Sequence, residues 1–181
     1  MIVLASASPR RKDLLRMLTD DFIVDASGVD EAVEIAKPDE KVLYLAQLKA
    51  EDVAARHPKD TVIGADTLVY AAGEILEKPV DIADARRMIR ILSGIVHKVY
   101  TGVCLVKEGA VQKEICVTDV HMDVWSEAEI EEYLQTEQVL DKAGAYGIQS
   151  MAAKFVNRIN GCYYNAMGLP LNLLYNMLKR I

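Results

Sequence analysis

Residues 1–12 read Met-Ile-Val-Leu-Ala-Ser-Ala-Ser-Pro-Arg-Arg-Lys, and they set the fold class. Ile2 to Ala5 are an apolar run of strand length. Ser8-Pro9 then supplies a capping oxygen and a first helical position whose missing N–H costs nothing. The helix that follows reaches about Leu18, with Leu14, Leu15 and Leu18 on one core-facing stripe. A strand passed straight into a helix opens an α/β chain.

Outward from there, Phe22 to Ala26 form a second short strand, and Pro38 opens a long helix that Pro58 stops. Val42, Leu45, Ala46, Val53 and Ala54 make its apolar side. Thr61 to Tyr70 are β-rich, and Ala71-Ala72-Gly73-Glu74 reads as a hairpin connection into Ile75-Leu76. Asp81 caps a helix carrying Ala85, Met88, Ile89 and Leu92, ended by Gly94. Val96–Val106 and Val111–Val124 face each other across Lys107-Glu108-Gly109-Ala110 as an antiparallel pair. Ser126 and Glu129 form a capping box for a helix to about Leu134. Phe155–Ile159, Asn160-Gly161 and Cys162–Asn165 carry the strongest short hairpin signal, and Pro170 starts a terminal helix. Helices alternate with strands early and hairpins dominate later, so the expected class is α/β with a mixed sheet in one domain of residues 1–181; any two lobes would interleave in sequence.

The 181 residues are 51% hydrophobic and 27% charged, which excludes disorder and allows a sizeable core without a metal or disulfide staple. A net charge of −6 leaves no broad basic field for a nucleic-acid backbone. Cys104, Cys116 and Cys162 are odd in number and show no CxxC spacing, so a reducing cytoplasm is expected. The opening apolar run is too short for a signal segment or a membrane span. There is no GxGxxG and no GxxxxGK[ST]. His57, His97 and His121 are too scattered for a metal motif and read as surface or structural residues.

Several polar residues lack a stability rationale. Arg10, Arg11 and Lys12 lie in the first turn of a helix, where the dipole is positive and unpaired N–H groups point outward. Cations there are misplaced unless an anion arrives, and a helix start reached from a strand is a ready phosphate site. Asp66 sits inside the apolar run TVIGADTLVY, where a carboxylate calls for a cation, a metal or several donors. Gly64, on the same face by two-residue alternation, reads as room for a ligand to approach. Glu31 falls in a loop after a strand, Lys49 within the long helix, and Lys78 before Pro79, which fixes an extended backbone. Two carboxylates and four cations on loops and element ends suit a metal–polyphosphate site. Residues 141–149, Asp-Lys-Ala-Gly-Ala-Tyr-Gly-Ile-Gln, read as a long polar functional loop. Its Gln149 offers donors and an acceptor suited to an imide edge such as that of uracil or thymine.

In one order from Leu4 to Leu171 the chain carries LASASPRRKDLL, VDE, LKA, GADTLV, ILEKP, LSGIVHKVYTGV, DKAGAYGIQ and NAMGLPL. This set resembles the Maf family of nucleoside triphosphate pyrophosphatases over essentially the whole chain. The resemblance implies an elongated mixed β-sheet flanked by helices, similar to inosine triphosphate pyrophosphatases, with a cleft between two lobes. It implies hydrolysis between the α- and β-phosphates of dTTP and UTP, releasing a nucleoside monophosphate and pyrophosphate. The matching positions are Ser8, Arg10 and Arg11 at the phosphates, Glu31, Lys49, Asp66 and Lys78 around the reacting centre, and Gln149 near the base. Arg10, Thr67 and Gln149 match the pyrimidine branch. Glu137-Gln138-Val139, Ser150 and Cys162 depart from the family's usual residues.

On this reading Mg²⁺ or Mn²⁺ is held by phosphate oxygens with Glu31 and Asp66, and Asp66 orients or deprotonates the attacking water. The family also suggests a homodimer. The substrate is a nucleoside triphosphate; no nucleic acid and no membrane is expected as a partner. The alternatives are a purine or 7-methyl-GTP pyrophosphatase, and a non-catalytic nucleotide-sensing regulator of septum formation.

Overall fold

The computed structural model describes residues 1–181. Seven strands form one mixed sheet in the order β2-β1-β3-β5-β6-β7, with β4 paired to β3 off that path. The strands are β1 (Ile2–Leu4), β2 (Phe22–Val24), β3 (Thr61–Ala71), β4 (Glu74–Leu76), β5 (Val96–Lys107), β6 (Ala110–Met122) and β7 (Val156–Asn160). The helices are α1 (Pro9–Arg16), α2 (Pro38–Ala54), α3 (Ile82–Leu92), α4 (Glu127–Thr136), α5 (Tyr163–Met167) and α6 (Leu171–Leu178). β1 runs parallel to both β2 and β3, while β3–β4 and β6–β7 are antiparallel. The expected class, α/β with a mixed sheet, is what the chain adopts. No helix is long and apolar enough to cross a membrane.

The chain divides into two compact units, each assembled from separate segments: Met1–Thr67, Tyr100–Cys116 and Tyr164–Ile181 in the first, Leu68–Val99 and Val117–Tyr163 in the second. In the first unit β1, β3 and the second half of β5 are buried on both faces, and the two-residue alternation sorts their side chains, whereas β2 and the start of β6 are exposed or half-buried. Leu4, Ile63, Ala65, Val103 and Leu105 pack with Leu14 and Leu15 of α1 and Leu174 and Met177 of α6. Val3, Ala5, Val62, Cys104 and Val106 pack with Ala46, Ala50 and Val53 of α2. Central strands covered on both sides read as near-continuous apolar runs, which is the pattern of β1 and β3.

Gly64 belongs to that second face, and the structure corrects its reading. A Cβ there would lie 2.1 Å from the carbonyl oxygen of Ala46 and 2.8 Å from Ala50 Cβ. Gly64 admits the backbone of α2, not a ligand. Gly102 on β5 does the same beneath Val42, whose carbonyl oxygen would be 2.4 Å from its Cβ.

In the second unit, Trp125 stacks on Phe155 at 3.6 Å between ring centroids and meets Tyr133 edge-on at 5.2 Å. Arg86 and Arg90 of α3 each grip a glutamate of α4, Glu131 and Glu127, through two N–H groups. Ser126 and Glu129 form the reciprocal cap of α4, and Asp81 caps α3. Ala72-Gly73 and Glu108-Gly109 close the two tight hairpins, all four residues with left-handed φ, as such turns require.

The expected hairpin at Asn160-Gly161 does not form. β7 pairs with β6, and after Gly161 the chain enters α5 where a returning strand was expected. Thr118 Oγ accepts from the Cys162 backbone N–H and donates to the Cys162 carbonyl, both at 3.0 Å, which turns the chain away. Residues 144–148 are buried and begin in a short 3-10 turn, so the segment read as a polar loop is packed structure. The first helix ends at Arg16, before Leu18.

Candidate active site

β3 places Asp66 and Thr67 on opposite faces, so each is gripped by a different helix. On the α2 face, Lys49 Nζ donates to Asp66 Oδ1 at 2.7 Å and to Glu31 Oε2 at 2.6 Å. The side chains of Lys49 and Asp66 are 9% and 12% exposed and that of Glu31 is 49% exposed, so Glu31 is the solvent-side partner. Ala46, Lys49 and Ala50 share one face of α2. The close approach allowed by Gly64 therefore delivers the Lys49 ammonium to Asp66 two residues along the strand. One ammonium bridges two carboxylates, which fixes the orientation of both.

Glu31 is placed by the loop that leaves β2. Asp52, one helical turn beyond Lys49, accepts from Ser27 Oγ at 2.9 Å and from the Gly28 N–H at 3.3 Å. Those bonds, led by Ser27, hold the Asp52 carboxyl below its usual range.

On the other face, Ser8 is the cap of α1 and accepts from the Arg11 N–H at 3.4 Å. The Arg11 guanidinium spends three N–H groups on neutral acceptors: the Gly168 carbonyl at 2.8 Å, Thr67 Oγ1 at 2.9 Å and Ser6 Oγ at 3.2 Å. A guanidinium has five N–H groups, so two stay available to an anion. Burial pushes Arg11 down from its ordinary value, opposed by the charge of Asp66 and reinforced by Arg10. Arg11 stays cationic all the same. No acidic residue occupies the first turn of α1 to neutralise this positive end.

Thr67 is committed to this network. Its hydroxyl takes the Arg11 N–H, lies 2.9 Å from Thr101 Oγ1 and 3.4 Å from the Gly168 carbonyl oxygen. Ser6, Thr101 and Gly168 are participants that sequence reasoning missed. Gly168 carried a signal, a glycine just before Leu-Pro, and its φ of 110° is one that glycine adopts freely. Thr101 is an ordinary β-branched strand residue by sequence and carried none.

The structure thus brings Ser8, Arg11 and Thr67 together, and likewise Glu31, Lys49 and Asp66. Arg10 lies half-buried in the first turn of α1, and its charge is felt by Arg11. Lys78 and Gln149 belong to the second unit, both exposed. There the Gly144 N–H donates to the Glu77 carbonyl at 3.1 Å, joining the segment that ends in Gln149 to the residue before Lys78.

The donor set also bears on a metal. Glu31 and Asp66 offer hard carboxylate oxygens of the kind Mg²⁺ and Mn²⁺ prefer. No group of three His, Cys, Asp or Glu side chains comes together to hold an ion. Two carboxylates fit a cation that takes its other donors from water and phosphate, not a closed protein cage.

The family model described as Maf-like protein matches residues 1–181. A dTTP/UTP pyrophosphatase of Latilactobacillus sakei is 44% identical over 180 residues, covering 99% of each chain. Its namesake in Koribacter versatilis is 47% identical, covering 99% of this chain and 93% of its own, and that of Pyrococcus abyssi is 45% identical, covering 99% and 95%. Among solved structures, the Ham1 protein of Staphylococcus aureus aligns with a TM-score of 0.53 at 14% identity, covering 99% of this chain and 98% of its own. That likeness shows a shared fold.

Proposed function

The chain belongs to the Maf family, and from that membership we propose that it hydrolyses dTTP and UTP between the α- and β-phosphates, releasing the nucleoside monophosphate and pyrophosphate. Relatives at 44% and 47% identity over nearly their full length carry the name dTTP/UTP pyrophosphatase. The observation that carries the reading is the pair of bridging hydrogen bonds from Lys49 to Asp66 and Glu31, on the strand whose next residue anchors Arg11.

In this reading Arg11 turns its two uncommitted N–H groups to the phosphates, and Arg10 and the start of α1 add positive potential there. Phosphoryl transfer needs little covalent help from a protein, so positioning and charge stabilisation supply most of the rate. Asp66, held by Lys49, orients the attacking water and accepts its proton, and the leaving pyrophosphate takes its charge to Lys49 and Lys78. Gln149 meets the imide edge of the pyrimidine. Glu31 and Asp66 would hold Mg²⁺ or Mn²⁺, which when bound neutralises phosphate charge. Thr67 contributes by fixing Arg11, since its hydroxyl is already engaged. Three cysteines, odd in number and without CxxC spacing, accord with a reducing cytoplasm, and a homodimer is part of the same reading.

Asp66→Asn tests the mechanism. The amide keeps an acceptor for Lys49, so the fold should persist while pyrophosphate release from UTP drops by about 10²-fold or more. Near-normal turnover would overturn the role of Asp66. A panel of dTTP, UTP, 7-methyl-GTP and ITP tests the substrate class, with the first two expected to lead.

A further inference from the structure

His97 is 2% exposed, in β5, and the mechanism above makes no use of it. Its Nε2 lies 2.7 Å from Tyr146 Oη, and the two rings meet edge to face at 5.3 Å. Nδ1 is buried and has no hydrogen-bond partner. The imidazole's polar contact is therefore spent on the tyrosine. Burial pushes His97 down to about 4 and pushes the Tyr146 phenol up, so the pair is neutral at ordinary pH.

Tyr146 sits inside the segment that ends in Gln149. That segment opens with two left-handed residues, Gly144 (φ 68°) and Ala145 (φ 61°), the second a conformation alanine disfavours. Its front is tied by the Gly144 N–H to the Glu77 carbonyl at 3.1 Å. Its rear is tied by Ser150, whose N–H and Oγ both donate to the Gly147 carbonyl, at 3.0 and 2.8 Å. Between those ties the His97–Tyr146 bond pins the side chain of the middle.

We propose that His97 is a positioning residue for nucleobase selection: through Tyr146 it fixes residues 144–149, and with them the orientation of the Gln149 amide. This rests on the reading that Gln149 meets the base. A carboxamide presents a donor at one end and an acceptor at the other. Turned over, it suits cytosine as well as it suited uracil. Discrimination therefore requires a segment that holds the amide one way round, because the chemistry of glutamine alone does not supply it.

Tyr146→Phe in the full chain removes the hydroxyl and keeps the ring. With kcat and KM read by pyrophosphate release, KM for UTP should rise about 10-fold, kcat should stay within about 3-fold, and the UTP-over-CTP ratio of kcat/KM should fall about 10-fold. His97→Gln should reproduce this pattern and serves as the second variant if the first folds poorly. The double variant should be no worse than either single one, because both break one bond. Unchanged KM and ratio, or additive losses, overturn the proposal. A wild type that does not prefer UTP to CTP sinks the role of Gln149 and this inference together. A wild-type preference that Tyr146→Phe retains sinks the positioning role alone.

Discussion

Arg11 combines a fixed orientation with a charge that its own contacts leave in place. Its three bonds to Gly168, Thr67 and Ser6 fix the plane of the guanidinium, and because every acceptor is neutral the charge is not cancelled on contact. Lysine, a point charge without the planar fork, could not span those acceptors. Its misplacement at a helix start was legible from sequence, whereas the carbonyl that orients it, 157 positions away, was not. His97 was legible only as a surface or structural histidine; the structure buries it, and that burial has a measurable sign. Its folded value of about 4 lies below the ordinary 6.5, so the unfolded chain binds a proton that the folded chain refuses. Stability from this group is complete above the ordinary value and is lost as pH falls towards the folded one, by roughly 3 kcal/mol in all. Urea unfolding between pH 7 and pH 4 should show that loss in the wild type and a shallower one in His97→Gln; parallel curves would contradict it.

At the scale of elements, the face-by-face alternation of β3 ties packing to the site. Val62, Gly64 and Asp66 share the side covered by α2, so the distance from helix to strand sets the reach of Lys49. Sequence gave the carboxylate and the glycine their common face but assigned the space above Gly64 to a ligand. The error has a physical origin: a missing Cβ marks close approach without saying by what, and only the tertiary placement of α2 decides. The same limit applies to Asn160-Gly161, where the turn residues are present but Thr118 captures both backbone groups of Cys162. Gly64→Ala puts a methyl 2.1 Å from a backbone oxygen that no side-chain motion can relieve. We expect a loss of about 3 kcal/mol or more in urea unfolding, with activity falling as Lys49 is displaced. Gly28→Ala, which meets nothing within 4 Å, should stay within about 0.5 kcal/mol. Equal effects at the two positions would refute this account of α2 packing.

For the whole molecule, the α/β class followed from local patterning, but the division into units did not. β3, β5 and β6 each run through both units, and no composition shift at Thr67, Val99 or Cys116 marks the passage. Connectivity of that kind is a property of strand pairing, which periodicity along one strand does not encode. The two apolar clusters of the first unit hold the sheet without any ionic group. The acidic residues come together in no set of three that could bind an ion structurally. A divalent cation would then act on the substrate's charge and not on the scaffold, since an ion that binds only weakly without its ligand adds little to folding stability. Chelation with EDTA should therefore abolish pyrophosphate release from UTP while the thermal midpoint moves by no more than about 1–2 °C, and added Mg²⁺ should restore turnover in full. A large drop in the midpoint on chelation would mean that the metal is part of the fold, and undiminished turnover would remove it from the reaction.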